Sequence, residues 1–192
     1  MIQRLYDWTL GLAEHRHALW VLAFVAFLES SMFPIPPDII MIPMILARPS
    51  RAFVIAGVAL VASVLGGMLG YAIGALAFET LGDPILTALG KGDAMAEFAT
   101  RFNDVGFWAV LIAGVTPFPY KVITIMSGVT AMPLGTFIAT SILARGLRFF
   151  LVALLLWKFG APVRDFIERR LPLMFTLAVA LMIGGFLAIK LF

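Results

Sequence analysis

Five ionisable side chains lie within stretches of apolar sequence, where each charge needs a partner. They are two acids and three bases: Glu29, Asp38, Lys121, Arg145 and Arg148. A charged side chain at the centre of a membrane helix costs roughly 2.5 to 3.5 kcal/mol on insertion scales. A lipid-facing surface would not retain such a set. The five must therefore pair with one another, face water or bind a charged ligand.

The two arginines predict an anion site. Arg145 follows the start of an apolar run at Leu134 by eleven residues, which places it about 16 Å along a helix and close to mid-membrane. Arg148 is three residues further on and shares the same helix face. Guanidinium groups bind phosphate oxygens in bidentate fashion. We therefore interpret Arg145 and Arg148, together with Lys121, as substrate-binding residues.

The two acids, Glu29 and Asp38, fit either proton coupling or charge pairing. Burial favours the neutral form of a carboxylic acid, whereas a neighbouring arginine favours the ionised form. An acid under both influences can exchange protons during transport. The alternative is a structural cluster of the acids with the two arginines, or a direct pair between Asp38 and Lys121. The sequence leaves these alternatives open.

The composition indicates one integral membrane domain. Of the 192 residues, 62% are hydrophobic and 13% charged, with a mean hydropathy of +1.04. A soluble domain is about half apolar and about a quarter charged. The chain has no cysteine and no HExxH or GxSxG motif, so we expect no enzymatic activity, metal or cofactor. A net charge of +3 without a basic tract predicts no nucleic-acid partner.

Long uncharged runs predict the transmembrane helices. Ala52–Phe78 would form a helix of about 40 Å, enough to cross a hydrocarbon core of about 30 Å. Leu134–Trp157 is similar apart from its two arginines, and a further span is expected at 171–192. Residues 1–17 predict an amphipathic helix in the membrane interface. Small residues recur every four positions in the first run and predict a seam for close helix contact: Ala62, Gly66, Gly70 and Gly74.

Two shorter apolar segments, which begin at Ala18 and Val105, are interrupted by prolines and predict re-entrant hairpins. Proline removes a backbone donor and disfavours helix at the preceding residue. Irregular backbone at membrane depth occurs only where protein or water surrounds it. The sequence PIPPDIIMI at 34–42 aligns without a gap to PFPYKVITI at 117–125. The predicted breaks contain five prolines: Pro34, Pro36 and Pro37 in the first, Pro117 and Pro119 in the second.

The matching breaks predict an all-α fold of two repeats, each a re-entrant helical hairpin followed by a long transmembrane helix. The repeats cover 18–79 and 105–160, with 80–104 as an extracytoplasmic connection. We expect a cytoplasmic N-terminus and an extracytoplasmic C-terminus, because this topology obeys the positive-inside rule. The repeats are then inverted, and the hairpin tips meet near the midplane. Eight basic residues fall on the cytoplasmic side: Arg4, Arg16, Arg48, Arg51, Lys158, Arg164, Arg169 and Arg170.

Three stretches of the chain carry a family resemblance. They are FLESSMFPIPPDIIMIPMILARPSRAF at 27–53, GGMLGYAIG at 66–74, and TPFPYKVITIMSG with ARGLRFF within 116–150. These stretches resemble the DedA family of membrane proteins, also called VTT or SNARE-associated Golgi-like proteins, and particularly its YqaA-type branch. The resemblance spans about residues 20–160. It implies two opposed re-entrant hairpins, with Glu29 and Asp38 as the family's membrane acids.

The resemblance implies transport rather than enzymatic chemistry. Bacterial relatives resemble flippases that return undecaprenyl phosphate across the inner membrane, and eukaryotic relatives resemble phospholipid scramblases. Typical bacterial members carry an arginine pair that flanks the proline of the second hairpin. In this chain Gly114 and Tyr120 stand at the matching positions, and Lys121 is the nearest basic residue.

We therefore expect a transporter that flips an anionic lipid, either a polyprenyl phosphate or a phospholipid, in the bacterial inner membrane. Its partners would be that lipid and the bilayer, and proton coupling would depend on Glu29 and Asp38. One alternative is a membrane enzyme that processes lipid phosphates. Another is a structural membrane protein without transport, in which the charges serve only packing. An oligomer is compatible with each of these functions.

Overall fold

The described part of the chain is helical throughout. A computed structural model describes residues 17–32, 35–90, 92–116, 118–160 and 162, and these residues contain no β-strand. Pro49–Arg51 forms a 3₁₀ turn and Phe78–Gly82 a π-helical turn. The α-helices within these residues are α1 Ala18–Ser31, α2 Asp38–Ala47, α3 Ala52–Ala77, α4 Asp83–Ala88, α5 Gly92–Asp104, α6 Gly106–Val115, α7 Tyr120–Val129 and α8 Leu134–Gly160.

Two helices are long and apolar enough to cross a membrane. One is the continuous helical run Pro49–Ala88 of 40 residues, which contains α3, and the other is α8, with 27 residues. Both were predicted, because an apolar run of more than 20 residues can satisfy its backbone only as a helix in lipid. The third predicted span, 171–192, and the interfacial helix predicted at 1–17 lie outside the described residues, apart from His17.

Both predicted backbone breaks are confirmed. Helix α1 ends at Ser31 and α2 begins at Asp38, while α6 ends at Val115 and α7 begins at Tyr120. Pro37 and Pro119 each stand directly before the second helix of their pair, where the missing N–H costs least. Pro36 also lies in its break, whereas Pro34 and Pro117 lie outside the described residues. We call α1–α2 the first helical pair and α6–α7 the second.

The two helical pairs pack at opposite ends of α3 and α8. These long helices are antiparallel, since the ring of Phe53 stacks on Phe150 with 6.4 Å between centroids, while Phe137 lies beside Gly67. The first pair forms a buried cluster with the start of α3 and the end of α8. The second pair forms another with Tyr71 and Phe137. Members of the first cluster include Leu22, Met41, Ile55 and Phe149, and the second is built from Val110, Tyr120, Met132 and Phe137.

Glycines allow the first and second pairs to approach α3 closely. A Cβ atom on Gly66 would lie 2.1 Å from the carbonyl oxygen of Phe27 in α1. A Cβ atom on Gly74 would lie 2.0 Å from the carbonyl oxygen of Ile125 in α7. Gly70, between them, faces both α1 and α7. The predicted small-residue seam is therefore the surface on which the ends of the two pairs meet.

Candidate functional site

Arg145 is enclosed in the middle of the molecule by partners from three other helices. Its guanidinium donates to Glu29 Oε2 at 2.7 Å and to Ser63 Oγ at 2.7 Å. The guanidinium carbon lies 4.8 Å from the ring centroid of Tyr120 and 4.6 Å from that of Phe149. Only 2% of the Arg145 side chain is exposed. The cation is therefore held by an ion pair, a hydroxyl and two aromatic faces.

The hydroxyls around Arg145 form a closed chain of hydrogen bonds back to its carboxylate partner. Ser63 Oγ accepts from Arg145 and lies 2.7 Å from Ser30 Oγ. Ser30 Oγ in turn donates to Glu29 Oε2 at 3.2 Å. Each hydroxyl has one proton to donate. If Ser63 donates to Ser30 and Ser30 donates to Glu29, each serine therefore both donates and accepts one hydrogen bond.

Arg148 connects the two backbone breaks. One nitrogen of its guanidinium donates to Asp38 Oδ2 at 2.5 Å, directly after the first break. Another donates to the carbonyl oxygen of Thr116 at 2.6 Å, at the start of the second break. The side chains of Arg148 and Asp38 are 19% and 17% exposed. The second carboxylate oxygen of Asp38 is buried and has no hydrogen-bond partner among the described residues.

Two further contacts join the ends of α1 and α7. Lys121 Nζ donates to the carbonyl oxygen of Met32 at 3.2 Å, one of the carbonyl groups that a helix leaves unpaired at its C-terminus. Thr124 Oγ1 donates to the carbonyl oxygen of Ser30 at 3.0 Å. The first and second breaks therefore lie side by side, and the charged residues of both belong to one site.

All five charged residues singled out in the sequence lie at this site. Glu29 pairs with Arg145 and Asp38 pairs with Arg148, which is the ion-pair cluster weighed as an alternative. Asp38 does not pair with Lys121: Arg148 binds one of its carboxylate oxygens, and Lys121 Nζ donates to the carbonyl oxygen of Met32 instead. Substrate binding by the three bases and proton coupling by the two acids stay predictions.

Sequence reasoning missed the polar groups that complete the site. Ser63 and Tyr71 are the polar side chains within α3, so Ser63 could have been recognised as a hydroxyl in an otherwise apolar membrane helix. Tyr120 was noted only as a departure from the family's arginine, yet its ring covers Arg145 and its hydroxyl donates to Ser141 Oγ at 2.5 Å. The carbonyl oxygen of Thr116 gives no sequence signal.

The Tyr120 hydroxyl predicts a measurable coupling. Tyr120→Phe should destabilise the protein by about 1 to 3 kcal/mol, because it leaves the buried Ser141 hydroxyl without its donor. Adding Ser141→Ala should recover part of this loss, since both polar groups are then removed. Unfolding titrations in mixed micelles measure both values. Strictly additive losses in the double variant would contradict a direct hydrogen bond.

A cavity among the described residues lies outside the charged cluster. It has a volume of about 610 Å³ and is formed by the end of α3, the helices α4 and α5, and the turn after α7. None of the five charged residues lines it. Within the described ranges, no three His, Asp or Glu side chains come together in a way that could hold a metal ion.

Comparisons with known proteins point to one family. A sequence model described as the VTT domain matches residues 35–158. An uncharacterized protein of Haemophilus influenzae is 40% identical over 168 residues, which cover 85% of this chain and 87% of that protein. An uncharacterized protein of Histophilus somni is 39% identical with the same coverage. No solved structure matches the chain. The matched domain contains Asp38, Lys121, Arg145 and Arg148.

Proposed function

Because this chain belongs to the VTT-domain family, also called the DedA family, we propose that it moves an anionic lipid between the leaflets of its membrane. Members of the family are membrane proteins generally regarded as transporters. The lipid we propose is a polyprenyl phosphate or a phospholipid, whose phosphate enters between the two backbone breaks. The membrane we propose is the bacterial inner membrane.

The contacts of Arg148 support the proposal most directly. This guanidinium lies between the two breaks, is partly exposed, and binds a single oxygen of Asp38. A phosphate offers the same bidentate geometry as a carboxylate and can therefore replace Asp38 on Arg148. The exchange would uncouple the first helical pair from α8 at the moment when the headgroup arrives.

Lys121 and Arg145 have different parts in this proposal. Lys121 contributes a mobile ammonium from the second break, and its present partner is a neutral carbonyl oxygen that a phosphate readily outcompetes. Arg145 is enclosed and already neutralised by Glu29, so it contacts the phosphate only when the two helical pairs separate. Protonation of Glu29 would weaken its ion pair with Arg145, and protonation of Asp38 would weaken its ion pair with Arg148. Transport would then be coupled to protons.

The proposed topology is that of two opposed re-entrant hairpins in inverted repeats. The packing of the first and second helical pairs at opposite ends of α3 and α8 supports it. The side-by-side position of the two breaks supports it as well, because short helices that enter from opposite faces meet near the midplane. The N-terminus is then cytoplasmic, on the side with the excess of basic residues.

A flipping assay in liposomes tests the proposal. Reconstituted protein should move a fluorescent polyprenyl phosphate or phospholipid to the opposite leaflet. Arg148→Gln should lower the rate about ten- to hundredfold, because a hydrogen bond to a charged group contributes roughly 1.5 to 3 kcal/mol. Lys121→Gln should lower it as well without removing an ion pair. Arg101→Gln is the matched control, since Arg101 is exposed and far from the breaks in sequence.

The pH dependence of flipping tests the role of the acids. Asp38→Asn should make the rate less dependent on pH, because it removes a titratable carboxyl group next to Arg148. Folded protein that moves neither lipid, with Arg148 intact, would refute the transport proposal and favour a structural protein. Release of phosphate from a lipid substrate, abolished by Asp38→Asn, would favour the enzyme.

A further inference from the structure

The helical run that contains α3 is too long for the membrane core. Its 40 residues, Pro49–Ala88, span about 60 Å at 1.5 Å per residue, twice a hydrocarbon thickness of about 30 Å. The π-helical turn Phe78–Gly82 interrupts the run where the charges begin. The segment 78–104, which begins with this turn, therefore has to lie at the membrane boundary or beyond it.

The segment carries an apolar stripe, of which Leu81, Ile85, Leu89 and Phe98 are exposed while Met95 and Ala99 line the cavity. Leu81, Ile85 and Leu89 follow one another every four residues and are 65%, 55% and 64% exposed. In α5, whose residues are all partly or fully exposed, apolar side chains follow the helical period of three and four residues: Met95, Phe98, Ala99 and Phe102. The opposite face of α5 carries the exposed ion pair Glu97–Arg101.

The membrane-spanning helix that precedes the segment also has an exposed apolar surface. Val61, Leu65 and Leu69 of α3 are exposed at the same four-residue spacing, and in a membrane protein this surface faces lipid. Two hydrogen bonds between Asn103 and Thr130, of 2.8 and 3.2 Å, tie the end of α5 to the turn after α7. The segment is therefore fastened to the helical body, while Leu81, Ile85, Leu89 and Phe98 stay exposed.

We propose that residues 78–104 form a flap that lies in the membrane interface, with its apolar stripe inserted among the lipid chains of that leaflet. Amphipathic helices take this position when one face is apolar and the other charged. A water-exposed connection would leave a row of large apolar side chains in solvent. The cavity of about 610 Å³ lies between this flap and the ends of α3 and α7. The position of the flap in the interface does not depend on which lipid the protein moves.

Single spin labels test the flap directly, because the chain has no cysteine. Two pairs of variants are used, one in each helix, and the two positions of a pair are two residues apart on the apolar and polar faces. The pairs are Ile85→Cys with Thr87→Cys in α4, and Phe98→Cys with Thr100→Cys in α5. Labels are read in liposomes of phosphatidylethanolamine and phosphatidylglycerol by their collisions with oxygen and with a water-soluble nickel chelate. Val61→Cys supplies the lipid-facing reference.

At positions 85 and 98, the ratio of oxygen to nickel collisions should resemble that of position 61 and exceed the ratio at 87 and 100 several-fold. Frequent nickel collisions at all four positions would overturn the proposal, because the segment would then lie in water. Labels at 85 and 98 that are shielded from both reagents would also overturn it, since protein would cover the stripe. All four positions are exposed, so the substitutions leave the packing intact.

Discussion

Arg145→Met is expected to destabilise the protein by about 3 to 5 kcal/mol, because it leaves the carboxylate of Glu29 buried without its counter-ion. Arg145 also donates a hydrogen bond to Ser63 Oγ and places its charge against two aromatic rings. A neutral side chain of similar length provides neither the hydrogen bond nor the charge. The free energy of unfolding in mixed micelles measures the effect. We expect this to be the largest loss among the charged residues.

The double variant Glu29→Met with Arg145→Met distinguishes the attraction within the ion pair from the cost of burying its two charges. Replacing both partners of a buried pair by apolar residues is often neutral or stabilising, so the double variant should be more stable than Arg145→Met alone. The exposed pair Glu97–Arg101 serves as control, because both side chains are more than 60% exposed. Its loss should change stability by about 0.2 to 1 kcal/mol. A small effect of Arg145→Met would mean that Glu29 reaches water.

Gly66→Ala is expected to destabilise the protein by about 3 kcal/mol or more, or to prevent folding. Its methyl group would lie 2.1 Å from a backbone oxygen of α1, and backbone cannot move aside as the end of a side chain can. Overpacking typically costs 1 to 3 kcal/mol, and more where the structure cannot relax. The yield of folded protein and the free energy of unfolding both report this loss.

Gly57→Ala is the matched control in the same helix. A Cβ atom at Gly57 meets nothing within 4 Å, and alanine favours helix over glycine by about 0.5 to 1 kcal/mol. Gly57→Ala should therefore leave stability unchanged or raise it. Equal effects of the two substitutions would show that helix propensity, and not the approach of α1, decides the role of these glycines.

The closed state of the charged site has a consequence for transport. Arg145 is enclosed, and none of the five charged residues lines the cavity of about 610 Å³. In the proposed transport, a lipid phosphate would enter only when the two helical pairs move apart, which would break the contacts Lys121–Met32 and Thr124–Ser30. The bond between Thr124 and Ser30 joins neutral groups and contributes about 0.5 to 1.5 kcal/mol, whereas the bond from the Lys121 ammonium to Met32 contributes about 1.5 to 3 kcal/mol.

The sequence alone determined the membrane class, the two long helices and the two backbone breaks. Each of these depends on local chemistry, because hydrocarbon forces an apolar run into a helix and consecutive prolines remove the donors that a helix needs. Local chemistry also has a limit within this chain. Pro43 lies inside α2, so a proline by itself does not end a helix in this chain.

The tertiary structure alone decided which charges pair. The partners Arg145 and Glu29 are 116 residues apart, and Arg148 and Asp38 are 110 apart. One turn of helix separates the two arginines, and their partners lie on different helices, Glu29 in α1 and Asp38 at the start of α2. The contacts of Gly66 and Gly70 with α1 fix where α1 lies along α3. Since pairing depends on packing between distant segments, spacing along the chain could name the charged residues but could not assign their partners.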